Sequence, residues 1–310
     1  MKISFVIPCY RSERTLGGVV SEVKSVLAQR PETDYEFVLV SDHSPDNVWN
    51  VICDLHAADP VHIKGIEFTK NYGQNSALMA GFGKSVGDIV FSMDDDGQAP
   101  VDDLFKVVDK LQDGPYDVVY GSYPDKRHNA FRNIGSNMNH LMAVWLLGKP
   151  SNVHSSSFYA VRRVIIEEAI KYRGPFPYID GLLYRITKSV ATVDVNHRER
   201  VDGVSGYTFA KLLGLWMNGF TSFSVKPLRL ATWMGVVSAA LGFMFGFFVV
   251  IKKLLITPDM AIGYSSIMAV LLFVGGMLML ILGLIGEYIG RIFICINQSP
   301  QYVIARTTND

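Results

Sequence analysis

Two long stretches without a charged residue constrain the fold of this chain more than any other feature. Residues 230–251 read LATWMGVVSAALGFMFGFFVVI, and residues 260–286 read MAIGYSSIMAVLLFVGGMLMLILGLIG. A helix needs about 20 apolar residues to cross a bilayer, and both stretches reach that length. Buried core helices are the alternative for any apolar run, but two uncharged runs of this length favour membrane spans. The sequence therefore predicts a two-helix transmembrane hairpin at 230–290, with spans at about 230–251 and 262–286.

The flanks of the hairpin indicate its orientation. An even number of crossings leaves both flanks on one side of the membrane. The N-terminal stretch MKISFVIPCY is too short for the apolar core of a signal peptide and lacks a small-residue cleavage site. Lys226, Arg229 and Arg291 flank the inner ends, although the outer loop also carries a pair of lysines. We expect a multi-pass protein of the inner (cytoplasmic) membrane, with the N-terminal domain and a tail at 291–310 facing the cytoplasm.

The segment before the first predicted span is rich in large apolar side chains. It runs from 207 to 229 and reads YTFAKLLGLWMNGFTSFSVKPLR. This pattern favours an amphipathic helix that lies at the membrane surface. Ordinary packing against the globular domain is the alternative, and both can hold at once.

Residues 1 to about 200 alternate strand-like and helix-like segments. The strand-like segments are ISFVIP, YEFVLVSD, VHIKGIEFT, GDIVFSMDDD and YDVVYGS. Strands that alternate with helices predict an α/β domain, here 1–206, with a mainly parallel sheet covered by helices. Ligands of such sheets bind beyond the carboxyl ends of the strands. Asp42, Asn71 and the acidic run at 94–96 all follow strands at that edge.

Charge and cysteine content exclude some classes of function. Lys and Arg number 29, and Asp and Glu also number 29, so the formal net charge is zero and nothing indicates a nucleic-acid partner. The three cysteines, Cys9, Cys53 and Cys295, lie far apart without metal-ligand spacing and fit a reducing compartment.

The run MDDDGQAP at 93–100 places three carboxylates directly after a predicted buried strand. A hard divalent cation such as Mg²⁺ or Mn²⁺ relieves the repulsion between carboxylates and neutralises a diphosphate. Helix capping is the alternative, but it accounts only for Asp102 or Asp103, which open the next helix. An Asp-x-Asp motif occurs by chance in many chains, so its neighbours decide its meaning.

Those neighbours carry a family resemblance. IPCYRSERTL, VSDHSPDN and NYGQNSALMAGF follow the first three strands, while the dinucleotide fingerprint and the P-loop are absent. With MDDDGQAP, these segments resemble, in order and spacing, the nucleotide-sugar-binding half of inverting family 2 glycosyltransferases of the GT-A fold. The hairpin, and GEYIGRIF at its end, narrow the resemblance to the polyprenyl-phosphate glycosyltransferases. It covers nearly all 310 residues.

The resemblance implies a nucleotide-binding set. Pro8, Tyr10 and Glu13 match the motif that shapes the base and ribose pocket. Asp42 matches the second acid of a turn that contacts the base. Asn71, in the third motif, belongs to the same predicted set.

The resemblance also implies the catalytic and metal-binding residues. Asp96 is the principal metal ligand, Asp94 supports the sugar-nucleotide, and Gln98 lies beside the metal and diphosphate. These three residues form the predicted catalytic set, with Asp96 and Gln98 at the metal, which is expected to be Mg²⁺ or Mn²⁺.

The acceptor site is predicted from two further segments. FRNIGS matches an arginine and a serine that the family pattern has four residues apart, a spacing that puts both on one face of a helix. The resemblance implies that Arg132 and Ser136 grip the acceptor phosphate, with the arginine as a bidentate donor. RVDGVSGY resembles the mobile loop that closes over the donor, which makes Arg200 and Ser205 candidates there.

The chain departs from the family pattern at several positions. Tyr123 stands where a phosphate-binding arginine is usual, although Lys126 and Arg127 are near, and Gly206 replaces a lysine. The segment NVHSSSFYAVRR lacks the acids that normally precede its phenylalanine, so His154 and the serines at 155–157 indicate either a different donor or reduced activity. The remaining departures are Arg11, Ser41 and His43.

The sequence thus predicts a metal-dependent inverting glycosyltransferase. Its expected reaction is transfer of a sugar from a nucleotide-sugar, expected to be UDP-linked, to a polyprenyl phosphate such as undecaprenyl phosphate, for envelope glycan modification. Its expected partners are these two substrates and the bilayer; a homo-oligomer is compatible with the family. A membrane-tethered, non-catalytic binding or scaffold protein is the main alternative. A processive polysaccharide synthase is disfavoured because no Arg-Trp dipeptide occurs.

Overall fold

A computed structural model describes the parts of the chain that position the site. The described residues are 1–123, 144, 150, 153–196, 226–255, 263–297 and 299–308. They fall into two compact units, one within Met1–Leu213 and Gln298–Asp310 and the other within Gly214–Asn297. Arg132, Ser136, Arg200, Ser205 and nearly all of the predicted surface helix at 207–229 lie outside the described residues.

The described part of the first unit is built on one sheet of eight strands. In chain order, the strands are β1 Lys2–Cys9, β2 Asp34–Ser41, β3 Ile63–Phe68, β4 Ile89–Ser92, β5 Val118–Ser122, β6 Tyr159–Arg162, β7 Val190–Asp194 and β8 Ile304–Thr307. Their spatial order is β7-β5-β6-β4-β1-β2-β3-β8.

The sheet is mixed but mainly parallel. Parallel pairs join β1 to β2, β1 to β4, β2 to β3 and β5 to β7. Strand β6 is antiparallel to β4 and β5, and β8 is antiparallel to β3. The predicted mainly parallel α/β sheet is therefore confirmed.

Helices cover both faces of this sheet. In the first unit they are α1 Leu16–Leu27, α2 Val48–Ala58, α3 Gln74–Lys84, α4 Leu104–Asp113, α5 Arg163–Ala169 and α6 Ile179–Ile186, with a 3₁₀ turn at Val101–Asp103. The central strands read as continuous apolar runs because both of their faces are covered.

The core shows how the two faces differ. Phe5 in β1 lies 5.3 Å from the ring of Phe37 in β2 and 5.7 Å from that of Phe91 in β4, in the cluster that includes α1, α2 and α4. On the opposite face, α3 lies so close to the sheet that a Cβ at Gly81 would come within 2.3 Å of Val6 Cγ1. This close packing fixes α3, and the loop that leads into it, over the sheet.

The second unit contains two long helices, α7 Lys226–Leu255 and α8 Tyr264–Ile296. They touch where Ser238 Oγ lies 3.2 Å from Met277 Sδ. Within the part of the chain that is described, one segment, Phe273–Ile296, is long and apolar enough to cross a membrane, whereas the apolar stretch in α7, Ala231–Gly242, is shorter. The structure thus provides two helices where two spans are predicted, and their crossing of a bilayer stays a prediction.

The C-terminal strand β8 was not predicted; the sequence analysis assigned 291–310 to a tail. Thr307 pairs with Ile66, and Arg306 pairs with Glu67. The Gly65 N–H donates to Thr308 Oγ1 at 2.9 Å. The chain therefore returns to the sheet of the first unit after α8.

Candidate active site

The carboxyl ends of β1, β2 and β4 meet at one edge of the sheet. Cys9 at the end of β1 is in register with Ser41 at the end of β2, and β4, parallel to β1, ends at Ser92 in register with Val6. The loops that begin at Tyr10, Asp42 and Met93 therefore lie side by side. This is the edge where an α/β sheet binds its ligands.

Asp94 lies at the centre of this edge and is held from two sides. Its Oδ1 accepts a hydrogen bond from Gln74 Nε2 at 2.9 Å, and its Oδ2 accepts one from Ser157 Oγ at 2.5 Å. Burial and then the nearby charge of Asp96 raise the pKa of the Asp94 carboxyl, against these two hydrogen bonds. Asp94 is thus fixed in orientation and repelled by Asp96.

Asp95 holds the loop after β1. Its Oδ2 accepts the Tyr10 N–H at 2.9 Å, and its backbone oxygen accepts Thr15 Oγ1 at 2.6 Å. Burial, with a smaller contribution from Asp94, raises the pKa of the Asp95 carboxyl to about 6, although nearby Ser12 lowers it. The middle acid therefore binds protein rather than ligand.

Asp96 shapes the turn that follows. Its Oδ1 accepts the Gln98 N–H at 3.0 Å, and Gly97 between them has a φ of 74°. That left-handed backbone suits glycine, and an aspartate that bonds the backbone two residues on is a common turn-former. All three residues of this turn are partly exposed. The Gln98 backbone therefore lies beside Asp96, and its predicted place beside the metal and diphosphate stays a prediction.

The donor set at Asp94 and Asp96 fits a hard divalent cation. Among the described residues, no group of three or more His, Cys, Asp and Glu side chains is arranged to hold a metal. A Mg²⁺ ion in a phosphate-binding site is commonly held by only one or two carboxylates, with substrate phosphate oxygens and water completing the shell. Two mutually repelling carboxylates meet that requirement.

Asp42 is buried and holds the loop that leads into α3. Its two carboxylate oxygens accept the N–H groups of Tyr72 and Gly73 at 2.7 and 2.8 Å. Burial raises the pKa of the Asp42 carboxyl, and the two N–H groups oppose this. Asn71 is exposed in the same loop. The structure therefore gives Asp42 a loop-holding contact in addition to its predicted contact with the base.

Glu13 locks the loops after β1 and β2 together. Its N–H donates to Asp46 Oδ2 at 2.9 Å, and its Oε2 accepts the Asn47 N–H at 2.9 Å. Of the other members of the predicted nucleotide set, Pro8 is buried inside β1, whereas the Tyr10 side chain is 44% exposed. Tyr10 is thus the aromatic member of this set, and its ring is exposed.

Two residues at this edge have strained backbones. Arg11 has a φ of 59° and His43 a φ of 50°, values that residues other than glycine rarely adopt. Both stand at departures from the family pattern, and both are exposed. Backbone strain of this kind clusters at functional sites, so its presence here agrees with the location of the site.

Tyr123 faces the acidic pair. Burial first, and then the charges of Asp94 and Asp96, raise the pKa of its phenol to about 12. A neutral phenol therefore occupies the side of the site where the family pattern has a cation. His154 is exposed.

Sequence reasoning missed several residues that build this site. Gln74 and Ser157 orient Asp94, and Asp95 fastens the loop at Tyr10 and Thr15. Gln74 belongs to the quoted segment NYGQNSALMAGF, and Ser157 to the segment noted as unusual. Both residues therefore lie in segments that the sequence analysis singles out, but the sequence does not show that these distant segments meet at Asp94.

The fold and this edge define the class of protein. The chain belongs to glycosyl transferase family 2, whose family model matches residues 4–169. A second model, described as the GtrB C-terminal hairpin, matches residues 226–292. The expected place among the polyprenyl-phosphate glycosyltransferases is confirmed by the full-length relatives.

Two relatives illustrate the match. The undecaprenyl-phosphate 4-deoxy-4-formamido-L-arabinose transferase of Klebsiella pneumoniae (strain 342) is 32% identical over 306 residues, which cover 98% of this chain and 93% of the relative. The enzyme of the same name from Photorhabdus laumondii subsp. laumondii is 30% identical over 310 residues, covering 100% and 95%.

A solved structure supports the fold. Glucosyl-3-phosphoglycerate synthase from Mycobacterium tuberculosis, in complex with uridine diphosphate, has a TM-score of 0.50 and 17% sequence identity. The match covers 70% of this chain and 78% of that chain. At this identity the likeness shows a shared GT-A fold.

Proposed function

We propose that the protein transfers a sugar from a nucleotide-sugar to the phosphate of a polyprenyl phosphate, with inversion at the anomeric carbon. The observation that carries the proposal is the pair Asp94 and Asp96 at the carboxyl edge of the sheet, one fixed by Gln74 and Ser157 and the other at an open turn. Full-length relatives named as undecaprenyl-phosphate sugar transferases support the acceptor class.

The acidic pair would hold Mg²⁺ or Mn²⁺. Such an ion would supply positive charge to the leaving diphosphate. Asp96 and Gln98 are partly exposed, and Asp94 is oriented before substrate arrives. A side chain that is already oriented stabilises the transition state more than a flexible one does, because it does not have to reorganise as charge develops.

The reaction balances without a protein base. An acceptor phosphate oxygen forms a bond to the anomeric carbon, and the bond from that carbon to the diphosphate oxygen breaks with its electron pair. The acceptor arrives as an anion, so no proton has to be removed from it. The chain's contribution is positioning and charge stabilisation of a transition state with oxocarbenium character.

The remaining site residues complete this proposal. Tyr10 and Asn71 are exposed at the nucleotide side, while Glu13 and Asp42 hold the loops that carry them. Pro8 shapes the end of β1. Arg132, Ser136, Arg200 and Ser205, predicted to bind the acceptor phosphate and close over the donor, keep those roles as proposals.

The two long helices would place this site at the membrane. Large apolar side chains on them are exposed, including Trp233 at 68% and Phe273 at 63%. Strand β8 adds a topological argument. Because β8 pairs with β3, the chain lies on one side of a membrane both before and after the two helices. If α8 crosses, a second segment must cross as well, and among the described helices α7 is the candidate.

The test is release of nucleoside diphosphate by the purified full-length protein in detergent, with Mn²⁺ and a panel of UDP-sugars. We expect release that requires undecaprenyl phosphate and disappears in Asp96→Asn but not in Asp102→Asn, a neighbouring acid outside the proposed metal pair. Metal-dependent nucleotide binding without turnover on any donor would instead favour the scaffold function, to which the neutral Tyr123 beside the acids lends weight.

A further inference from the structure

A continuous group of polar side chains extends from Asp94 away from the proposed metal position. We call it the serine–tyrosine cluster; its members are Ser155, Ser157, Tyr120, Tyr159, Tyr184 and Asp180. The cluster brings together the segment before β6, two strands of the sheet and α6. It occupies the region where the family pattern has acids that this chain lacks.

Hydrogen bonds join residues of the cluster and Asp94 in three pairs. Ser157 Oγ donates to Asp94 Oδ2 at 2.5 Å, and Ser155 Oγ lies 3.3 Å from Tyr184 Oη. Tyr120 Oη donates to Asp180 Oδ1 at 2.9 Å. The rings of Tyr120 and Tyr184 are stacked with centroids 6.3 Å apart. Asp180 is therefore held rigidly, two side chains away from the serines.

Tyr159 supplies an independent observation. It is 3% exposed, and its hydroxyl has no hydrogen-bond partner, although Ser92 lies beside it. Burial, and then the charges of Asp180 and Asp94, raise the pKa of this phenol. A buried hydroxyl left unpaired in a native site calls for a partner such as bound water or a ligand.

The cluster has the chemistry of a sugar site. Its serine hydroxyls donate and accept, and an ionised carboxylate accepts two hydrogen bonds at once. Ser155, Ser157 and Asp180 are partly exposed, whereas Tyr120, Tyr159 and Tyr184 are buried behind them. The hydroxyl groups of a sugar ring can donate hydrogen bonds to the serine and carboxylate oxygens of the cluster. A sugar that carries its own carboxylate would be repelled by Asp94 and Asp180 together.

We propose that Asp180, with Ser155, binds the transferred sugar ring and selects a neutral sugar with free neighbouring hydroxyls over an acidic one, while Ser157 orients Asp94 beside it. This rests on the proposed function, because the ring must lie next to the diphosphate beside Asp94. Asp180 supplies a carboxylate from α6. The unpaired Tyr159 hydroxyl is the buried polar group next to this site.

The test is calorimetric binding to the full-length protein in detergent with Mn²⁺. The probes are UDP, UDP-glucose, UDP-galactose, UDP-N-acetylglucosamine and UDP-glucuronate. For Asp180→Asn we expect unchanged UDP affinity and loss of about tenfold for the preferred neutral donor, the effect of one charge-assisted hydrogen bond. The preference for that donor over UDP-glucuronate should fall by a similar factor. Asp54→Asn, an exposed acid on α2, is the matched control.

Two results would overturn the proposal. One is equal loss of UDP and UDP-sugar affinity in Asp180→Asn, and the other is a wild-type preference for UDP-glucuronate or for UDP alone. Ser155→Ala, which keeps Asp180 and its tyrosine intact, should give the same donor-specific loss and guards against a folding defect. Failure of the sugar-transfer assay alongside a donor-specific effect would count against the proposed function and not against this pocket.

Discussion

The Ser157 hydroxyl donates a 2.5 Å hydrogen bond to Asp94 Oδ2, although the two residues are 63 positions apart in the chain. Gln74, from the start of α3, holds the other carboxylate oxygen. Asp94 is thus oriented by one residue that precedes it in the chain and one that follows it. Orientation of Asp94 is therefore separable from its charge.

Ser157→Ala tests that separation. Asp94 keeps its charge but loses one of its two restraints, so we expect kcat to fall by about tenfold with little change in the KM for the donor. Steady-state kinetics with the active donor measure both constants. Ser156→Ala is the matched control, because that hydroxyl donates to the Phe158 carbonyl at 3.1 Å. Equal effects of the two variants would contradict the assigned role.

The buried Glu36 should make stability depend on pH. Burial alone would raise the pKa of its carboxyl, but hydrogen bonds from Lys64, Ser4 and the Val86 N–H hold that pKa below its ordinary value. A depressed carboxyl pKa stabilises the fold above the unfolded pKa, and this stabilisation is lost as pH falls through the folded pKa.

Glu36→Gln should therefore lower the free energy of unfolding by about 2 kcal/mol at pH 7, and the difference should shrink as the pH falls below 4.5, the ordinary pKa of the group. Chemical unfolding at several pH values measures the difference. The exposed Glu32→Gln serves as control. A difference that stays constant with pH would show that the hydrogen bonds do not depend on the charge.

The segment that leads into β8 should support the loop that carries Asn71 and Tyr72. Tyr302 stacks on Phe68 with centroids 5.2 Å apart, and Phe68 contacts Tyr72, whose N–H is bound by Asp42. The Thr69 N–H donates to Val303 O at 3.0 Å. Tyr302→Ala should weaken UDP binding by about fivefold, through loss of an aromatic contact worth about 1 kcal/mol.

Calorimetry of UDP binding checks this expectation. Arg306→Gln removes an exposed contact to Glu67 on the same strand and should leave UDP affinity unchanged. Equal affinity of the Tyr302 variant and the wild type would mean that β8 closes the sheet edge without supporting the loop.

The pairing of β8 with β3 also predicts membrane topology. Reporter fusions before Met1 and after Asp310 should therefore lie on the same side of the membrane. In the expected orientation, with the N-terminal domain in the cytoplasm, a fluorescent protein should fluoresce and alkaline phosphatase should be inactive at both places. Opposite results at the two places would mean an odd number of crossings, which the β3–β8 pair does not allow.

The sequence predicted the parts of the fold that local pattern controls. The apolar runs of β1 to β5 and the acids after β4 follow from strand composition, so Asp94 and Asp96 were placed at the correct edge. Strand β8 has four residues, and its partner β3 lies more than two hundred positions earlier, so no local pattern indicates it. Asp42 was predicted from its motif, but its hydrogen bonds to Tyr72 and Gly73 depend on how α3 packs.

The central claim is tested most directly by the product itself. Wild-type protein, undecaprenyl phosphate, Mn²⁺ and the active donor are incubated, and the lipid fraction is analysed by mass spectrometry and NMR. The account predicts one sugar on the lipid phosphate, with anomeric configuration opposite to that of the donor, and none with Asp96→Asn. A product of retained configuration, or equal product from wild type and Asp96→Asn, would contradict it.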